Sequence, residues 1–362
     1  MINASTVNPY YFYPDRYKEM GQSFFDSYKL EKEIYCPAEK MVGRKPKNDR
    51  QCRFCGNKSP YASFHKIAHI IPELLGNHYL VSDYECDDCN EKFGRYENDF
   101  SNYLGIVRTI QSAKGKKQPK FKPNKHISME TVNDPIDGEI VEIKRNDPTD
   151  NVFEFDKETN QTTIHFKLLP YTPLKIYKCL LKIALSILDE RDMQNYKFAL
   201  DVINTTKYDG DSKGFHYITK YSMPYSFQYA SPTSLLFRKK NPEDALVTHI
   251  FVLNALNMIF HIPIPLHVQD IRHYNSEGVT QKICPPIFGT DSIEGLEPIQ
   301  QFTGDFRSNI RVTDQMSKLV LPANKGDFEI SKIIDKETGK IKEERIFDGR
   351  KIDGISLQRK EI

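Results

Sequence analysis

Apolar positions along this chain follow two different periods. Over residues 126–168 they alternate in short runs, at 127–132, 139–143, 152–155 and 162–166, separated by Asp, Gly and Asn clusters. Period-two alternation with turn residues at the breaks predicts an antiparallel meander. From Pro173 the period becomes helical. Leu174, Tyr177, Leu180, Leu181, Ala184, Leu185 and Leu188 recur at helical spacing, and proline suits the first turn. A further helix is expected over 193–203, and strands over 215–222, 233–238, 246–253 and 257–264. Residues 17–32 read as a helix as well. Past 325 the chain is charged and strand- or turn-like. The pattern as a whole predicts an α+β protein.

Between these regions and the N-terminus lies a window with different chemistry. Cys52-Arg-Phe-Cys55 and Cys86-Asp-Asp-Cys89 are two Cys-x2-Cys pairs. Each pair supplies two thiolates, and two pairs make the four soft ligands of a tetrahedral zinc site. The remaining three of the seven cysteines, Cys36, Cys179 and Cys284, are scattered, which does not suit a disulfide framework. Between the knuckles, 63–71 is strand-like, Pro72 ends the run, Gly76-Asn77 marks a turn, and 79–82 can return as a second strand. After Cys86 a helix is expected to begin at Asp87 or Asp88, whose carboxylates suit a helix N-terminus. Phe93, Phe100 and Leu104 form its core stripe. The order knuckle, strand, loop, strand, knuckle, helix is a ββα unit stapled by zinc.

Cys-x2-Cys, His69-Ile-Ile-Pro-Glu73, Gly76-Asn77, then Glu85-Cys-x2-Cys-Asn90-x2-Phe93-Gly94 resembles the HNH endonuclease family, in its zinc-knuckle branch. The resemblance covers about residues 50–105. It implies a ββα-metal fold that grips one divalent ion, Mg²⁺ or Mn²⁺, and hydrolyses phosphodiester bonds in DNA. His69 then matches the general base that takes a proton from the attacking water. Asn90 matches a residue that helps to hold the ion. The other usual metal ligand stands just before the base, and here that position is Ala68. Three residues are candidates to replace it. Glu97 lies seven positions after Asn90 and so returns to nearly the same helix face, at about 100° per residue. His65 lies four before His69, on the same face of a strand, and Glu73 follows Pro72. Glu97 could equally serve as an ion-pair partner of Arg95 or Lys92.

Net charge is only +2, so local charge matters more than the total. Residues 112–125 hold six lysines and no acid, with Gly and Pro among them. They read as a basic linker. Lys114, Lys116, Lys117, Lys120 and Lys122, together with Arg53, are candidate nucleic-acid contacts, and lysines would grip phosphate without reading sequence. The expected organisation is an HNH nuclease domain at 1–111 with zinc knuckles at 52–89, the linker at 112–125, and an α+β domain at 126–362 that senses a signal, binds a partner or forms an oligomer. No apolar run approaches the roughly 18 residues of a membrane span, and no signal peptide is evident, so the expected compartment is the cytoplasm. The resemblance implies DNA as partner, a role such as bacterial restriction or anti-phage defence, and a homo-oligomer or a protein or small-molecule activator. The residues alone do not separate DNA from RNA. The rival reading is a non-catalytic zinc-ribbon module that binds DNA or protein, and Ala68 is the feature that favours it.

Overall fold

The computed structural model describes residues 4–8, 11–36, 45–113, 115, 117–123, 126–135, 138–146, 152–156, 158–159, 161–205, 215–225, 227–276, 278–289, 298–322, 328–335, 341–342 and 352–359. Its helices are α1 (Lys18–Ser27), α2 (Asp87–Leu104), α3 (Val107–Ile110), α4 (Pro173–Ile187), α5 (Glu190–Met193), α6 (Lys197–Asn204) and α7 (Ile271–Ser276). The strand pairs within its sheets are antiparallel, as the α+β pattern predicts. One six-stranded sheet runs in the order Gln300–Asp305, Tyr217–Ser222, Met258–Pro263, His249–Ala255, Thr233–Lys239, Tyr28–Tyr35. A second runs Ile341–Lys342, Phe328–Asp335, Ile352–Arg359, Gly138–Arg145, Ile127–Asp134, Lys120–Phe121.

Three local expectations change. The expected helix over 17–32 stops at Ser27, and Tyr28–Tyr35 leaves it to pair with Thr233–Lys239. The stretch is rich in Lys and Glu, which favour helices. Pairing with a buried strand outweighs that weak preference. The expected meander divides: Ile127–Asp134 and Gly138–Arg145 pair in the second sheet, while Phe153–Asp156 and Gln161–Lys167 join Met316–Pro322 in another. The basic stretch also carries structure, since Lys120–Phe121 pairs with Ile127–Asp134 and buries the Phe121 ring.

Helix α4 sits at the centre. Its residues from Leu174 to Ile187 are buried on nearly every side, so it is a core helix rather than a surface one. Asp99 of α2 accepts the backbone N–H of Thr172 at 2.6 Å and lies 3.4 Å from the Lys175 ammonium, which ties α2 to the start of α4. The Tyr96 hydroxyl donates to the Ile203 carbonyl at 3.1 Å, and Asn204 donates to the Phe54 carbonyl at 2.9 Å. One apolar cluster therefore runs from Cys52 to Leu319 without a break at the basic stretch. The N-terminal strand Tyr28–Tyr35 and the cysteine window both lean on elements from beyond residue 170.

Three histidines are buried and held neutral. Burial lowers His216, His261 and His267 from the ordinary 6.5 to about 4. The unfolded chain takes up these protons below about pH 6.5, while the folded chain does so only near 4. Their contribution is therefore present above pH 6.5 and is lost as pH falls towards 4, by roughly 3 kcal/mol for each full shift of this size. Urea-unfolding midpoints should fall steadily between pH 7 and pH 4.5. A midpoint that holds constant over that range would contradict this assignment.

Candidate nuclease site

The first knuckle is built by backbone bonds around Cys52. Its N–H donates to the Asn57 carbonyl and its carbonyl accepts the Gly56 N–H, each at 2.8 Å. Gly56 has φ +75°, a left-handed conformation that glycine adopts without the Cβ penalty. In the second knuckle Cys86 is the N-cap of α2 and accepts the Asn90 N–H at 2.9 Å. The sulfur atoms of Cys52, Cys55, Cys86 and Cys89 all lie within 4.8 Å of one another, and Cys55 Sγ is 3.7 Å from Cys86 Sγ. Four thiolates at the usual zinc–sulfur distance of about 2.3 Å stand roughly 3.8 Å apart, so this cluster fits a structural zinc. The thiols also interact among themselves. A hydrogen bond with Cys89 is the main cause that lowers Cys52 to about 5, while burial pushes Cys86 up to about 12. Ionising all four needs a cation between them.

The hairpin between the knuckles is much shorter than its apolar pattern predicts. Only Ala68–His69 and Val81–Ser82 are strands, paired Ala68 to Ser82 and His69 to Val81. The segment before them is drawn to the helix instead. Asp87, the first residue of α2, accepts the Ser63 hydroxyl at 2.7 Å and the backbone N–H groups of His65 and Lys66 at 3.0 and 2.8 Å. These bonds outweigh burial and hold the Asp87 carboxyl below its usual range. His65 is thus exposed and outside the strand, so the shared strand face expected for His65 and His69 does not exist.

The return loop is organised by Asn77, which is fully buried. Its amide nitrogen donates to the Ile71 and Leu80 carbonyls at 2.6 and 2.9 Å, and its oxygen accepts the N–H groups of Tyr79 and Leu80 at 3.2 and 2.8 Å. Gly76, at φ +94°, turns the chain just before it. Asn77→Ala removes all four bonds and should lower unfolding free energy by roughly 2–4 kcal/mol in urea titrations. A loss below about 0.5 kcal/mol would show that the loop does not depend on this side chain.

His69 ends the first strand, and Asn90 sits one turn into α2. The two are brought together through the chain around Ile67: the Asn90 amide lies 3.5 Å from the Ile67 carbonyl, two residues before His69. Ala68 is buried, so the position that usually carries a ligand here faces the core. Glu97 lies two turns along α2, with its side chain a quarter exposed and one oxygen 3.8 Å from the ammonium of Lys182. Lys182, buried in α4, also stands 3.2 Å from Glu85 and donates to the His69 carbonyl. Burial would lower its pKa, but the Glu85 and Glu97 carboxylates outweigh this and raise it, which keeps the ammonium charged. Glu73 begins a short 3-10 turn beyond Pro72.

The basic residues are placed less openly than their spacing suggests. Arg53 does not project towards solvent. Its guanidinium donates to the carbonyls of Leu185, Ser186 and Leu188, at 2.9, 2.8 and 3.2 Å, and so closes the C-terminal end of α4. Those bonds occupy the donors that a phosphate would need. Arg50 is likewise buried against the Lys45 carbonyl and Asp83. Lys117 and Lys122 are exposed, Lys120 pairs with Glu130, and Lys114 and Lys116 lie outside the described residues.

A second group with metal-ligand chemistry, Glu31, Asp192 and His249, has ligand atoms within 4.8 Å of one another. Arg238 already supplies its positive charge. One guanidinium nitrogen lies 3.2 Å from Glu31, 2.8 Å from Asp192 and 3.2 Å from His249. This is an ion-pair cluster within the sheet, where His249 also meets the Tyr196 hydroxyl at 2.6 Å. Among the described residues, no helix is long and apolar enough to cross a membrane.

Comparison of the chain with curated proteins found no match, and comparison with solved structures found none either. A family comparison did find one, over the part of the chain that holds the cysteine cluster, the hairpin and the helix bearing Asn90. Residues 52–102 match the HNH endonuclease family, which points to a nuclease-type function for this module.

Proposed function

We propose that this chain is a metal-dependent endonuclease that hydrolyses phosphodiester bonds in DNA, with His69 as general base. The observation that supports this most is the placing of Asn90 against the strand of His69, inside a zinc-type frame that matches the HNH family. A divalent ion, Mg²⁺ or Mn²⁺, bound through Asn90 and one carboxylate, would polarise the scissile phosphate and stabilise the leaving oxygen. Glu97 is the first candidate for that carboxylate. It shares a helix with Asn90, and only one of its oxygens is turned to Lys182 at 3.8 Å. Glu73 and His65 are the other two candidates. The side chains of this module do the rest: His69 takes the proton from water, and the knuckles fix the hairpin on α2. Lys117 and Lys122, exposed beside the module, would contact the phosphate backbone, with Lys114 and Lys116 from the same stretch. The region beyond residue 126 would supply a sensing, partner-binding or oligomer-forming function. The biological setting proposed is restriction or anti-phage defence, which plating phage on cells that express the wild type or an inactive variant would test.

Supercoiled plasmid gives the direct test. With Mg²⁺ or Mn²⁺ the wild type should convert it to open circles, and Asn90→Ala should slow this by at least tenfold while retaining the zinc. Wild-type protein that binds DNA and nicks none in either metal would overturn the proposal. The buried Ala68 favours that second reading, a zinc-ribbon module that binds without cutting. In it, Asn90→Ala would bind DNA as tightly as the wild type.

A further inference from the structure

We propose that Lys182 is a positioning residue of the nuclease site, acting from α4, outside residues 52–102, by fixing the backbone of His69. The proposal rests on the reading of His69 as the general base. The strand that carries His69 has two residues, so its ladder offers little to hold the imidazole in place. Lys182 adds a bond from the other side, because its ammonium donates to the His69 carbonyl. That ammonium cannot drift. Its side chain is 1% exposed and stands 3.2 Å from Glu85, whose side chain is 0% exposed, so movement would separate two charges in a dry core. Glu97, at 3.8 Å, meets the same nitrogen. The base-bearing strand and the helix of Asn90 are thereby referenced to one point.

The chemistry suits lysine in particular. An ammonium has three donors on one atom, and here three acceptors converge on it from three segments: the His69 carbonyl, Glu85 and Glu97. A guanidinium spreads its donors over a planar fork and would not present one nitrogen to all three. Glu85 directly precedes Cys86, so the same contact ties the hairpin, the second knuckle and α4 together.

The test compares the wild type, His69→Ala, Lys182→Met/Glu85→Gln and Lys182→Arg in steady-state plasmid nicking, with each rate divided by the folded fraction. The double variant removes both buried charges together, and Lys182→Arg keeps the charge should the double variant fail to fold. The expected result is a 10- to 100-fold lower kcat per folded molecule for the Lys182 variants, with KM for DNA within about twofold and zinc content unchanged. If wild type cuts, His69→Ala does not, and the Lys182 variants retain wild-type kcat, Lys182 is only a structural ion pair and the proposal falls. If wild type itself cuts no DNA, the nuclease reading falls and takes this proposal with it.

Discussion

His69→Ala should reduce plasmid nicking by about 10²- to 10⁴-fold, the usual contribution of a general base. The loss should appear in kcat, with DNA binding nearly unchanged, because the imidazole is assigned to proton removal and not to grip. The variant should still fold. The bonds that hold this residue use its main chain: the pairing with Val81 and the Lys182 ammonium on its carbonyl. Zinc content and unfolding midpoint therefore serve as controls. A variant that keeps its zinc and nicks within threefold of the wild type would remove His69 from the mechanism. The same comparison separates a weak enzyme from a contaminating nuclease, since a contaminant would not respond to position 69.

The helix that carries Asn90 was legible because its signals are local. Two acids follow the knuckle cysteine, Phe93 and Phe100 recur at helical spacing, and the helix runs from Asp87 to Leu104. The cysteine cluster was legible for the same reason. The hairpin was not, because the 63–67 segment obeys Asp87 rather than its own alternation. The strand Tyr28–Tyr35 depends on a partner about 200 residues away, which no local period can announce. Arg53 looked like a phosphate contact because a basic residue beside a knuckle has that meaning by itself. Only the fold brings the carbonyl end of α4 to it. Lys182 left a usable sign. Helix α4 is apolar on most faces, so Lys178 and Lys182 have no solvent face to occupy and must find partners inside. Lys178 does so at the Thr205 carbonyl, and burial lowers it to about 8. A charge in an all-apolar helix is a prompt to look for a buried acid, and here the acid is next to a zinc ligand.

Removing the zinc should dismantle the module and spare the rest of the chain. Structural zinc in small knuckle units is worth roughly 10–16 kcal/mol of apparent binding energy, more than so small a hairpin can supply by itself. The apolar material between the knuckles, Phe54, Ala62, Phe64, Ile71, Leu75 and Leu80, is anchored at both ends by cysteines. Helix α2 has other supports: Asp99 on Thr172, Tyr96 on Ile203, and the Phe100 ring 5.3 Å from that of Phe260. Cys86→Ser, or a chelator applied to the wild type, should therefore release one zinc per chain and strip amide-exchange protection from residues 52–86. Protection at His249–Ala255 and Met258–Pro263 should persist, because those strands pair within their own sheet. Nicking should vanish even with Mg²⁺ in excess, since the strand of His69 is no longer held against Asn90. Cleavage and protection that both survive loss of the metal would mean that α4, through Lys182 and Arg53, holds the hairpin without it.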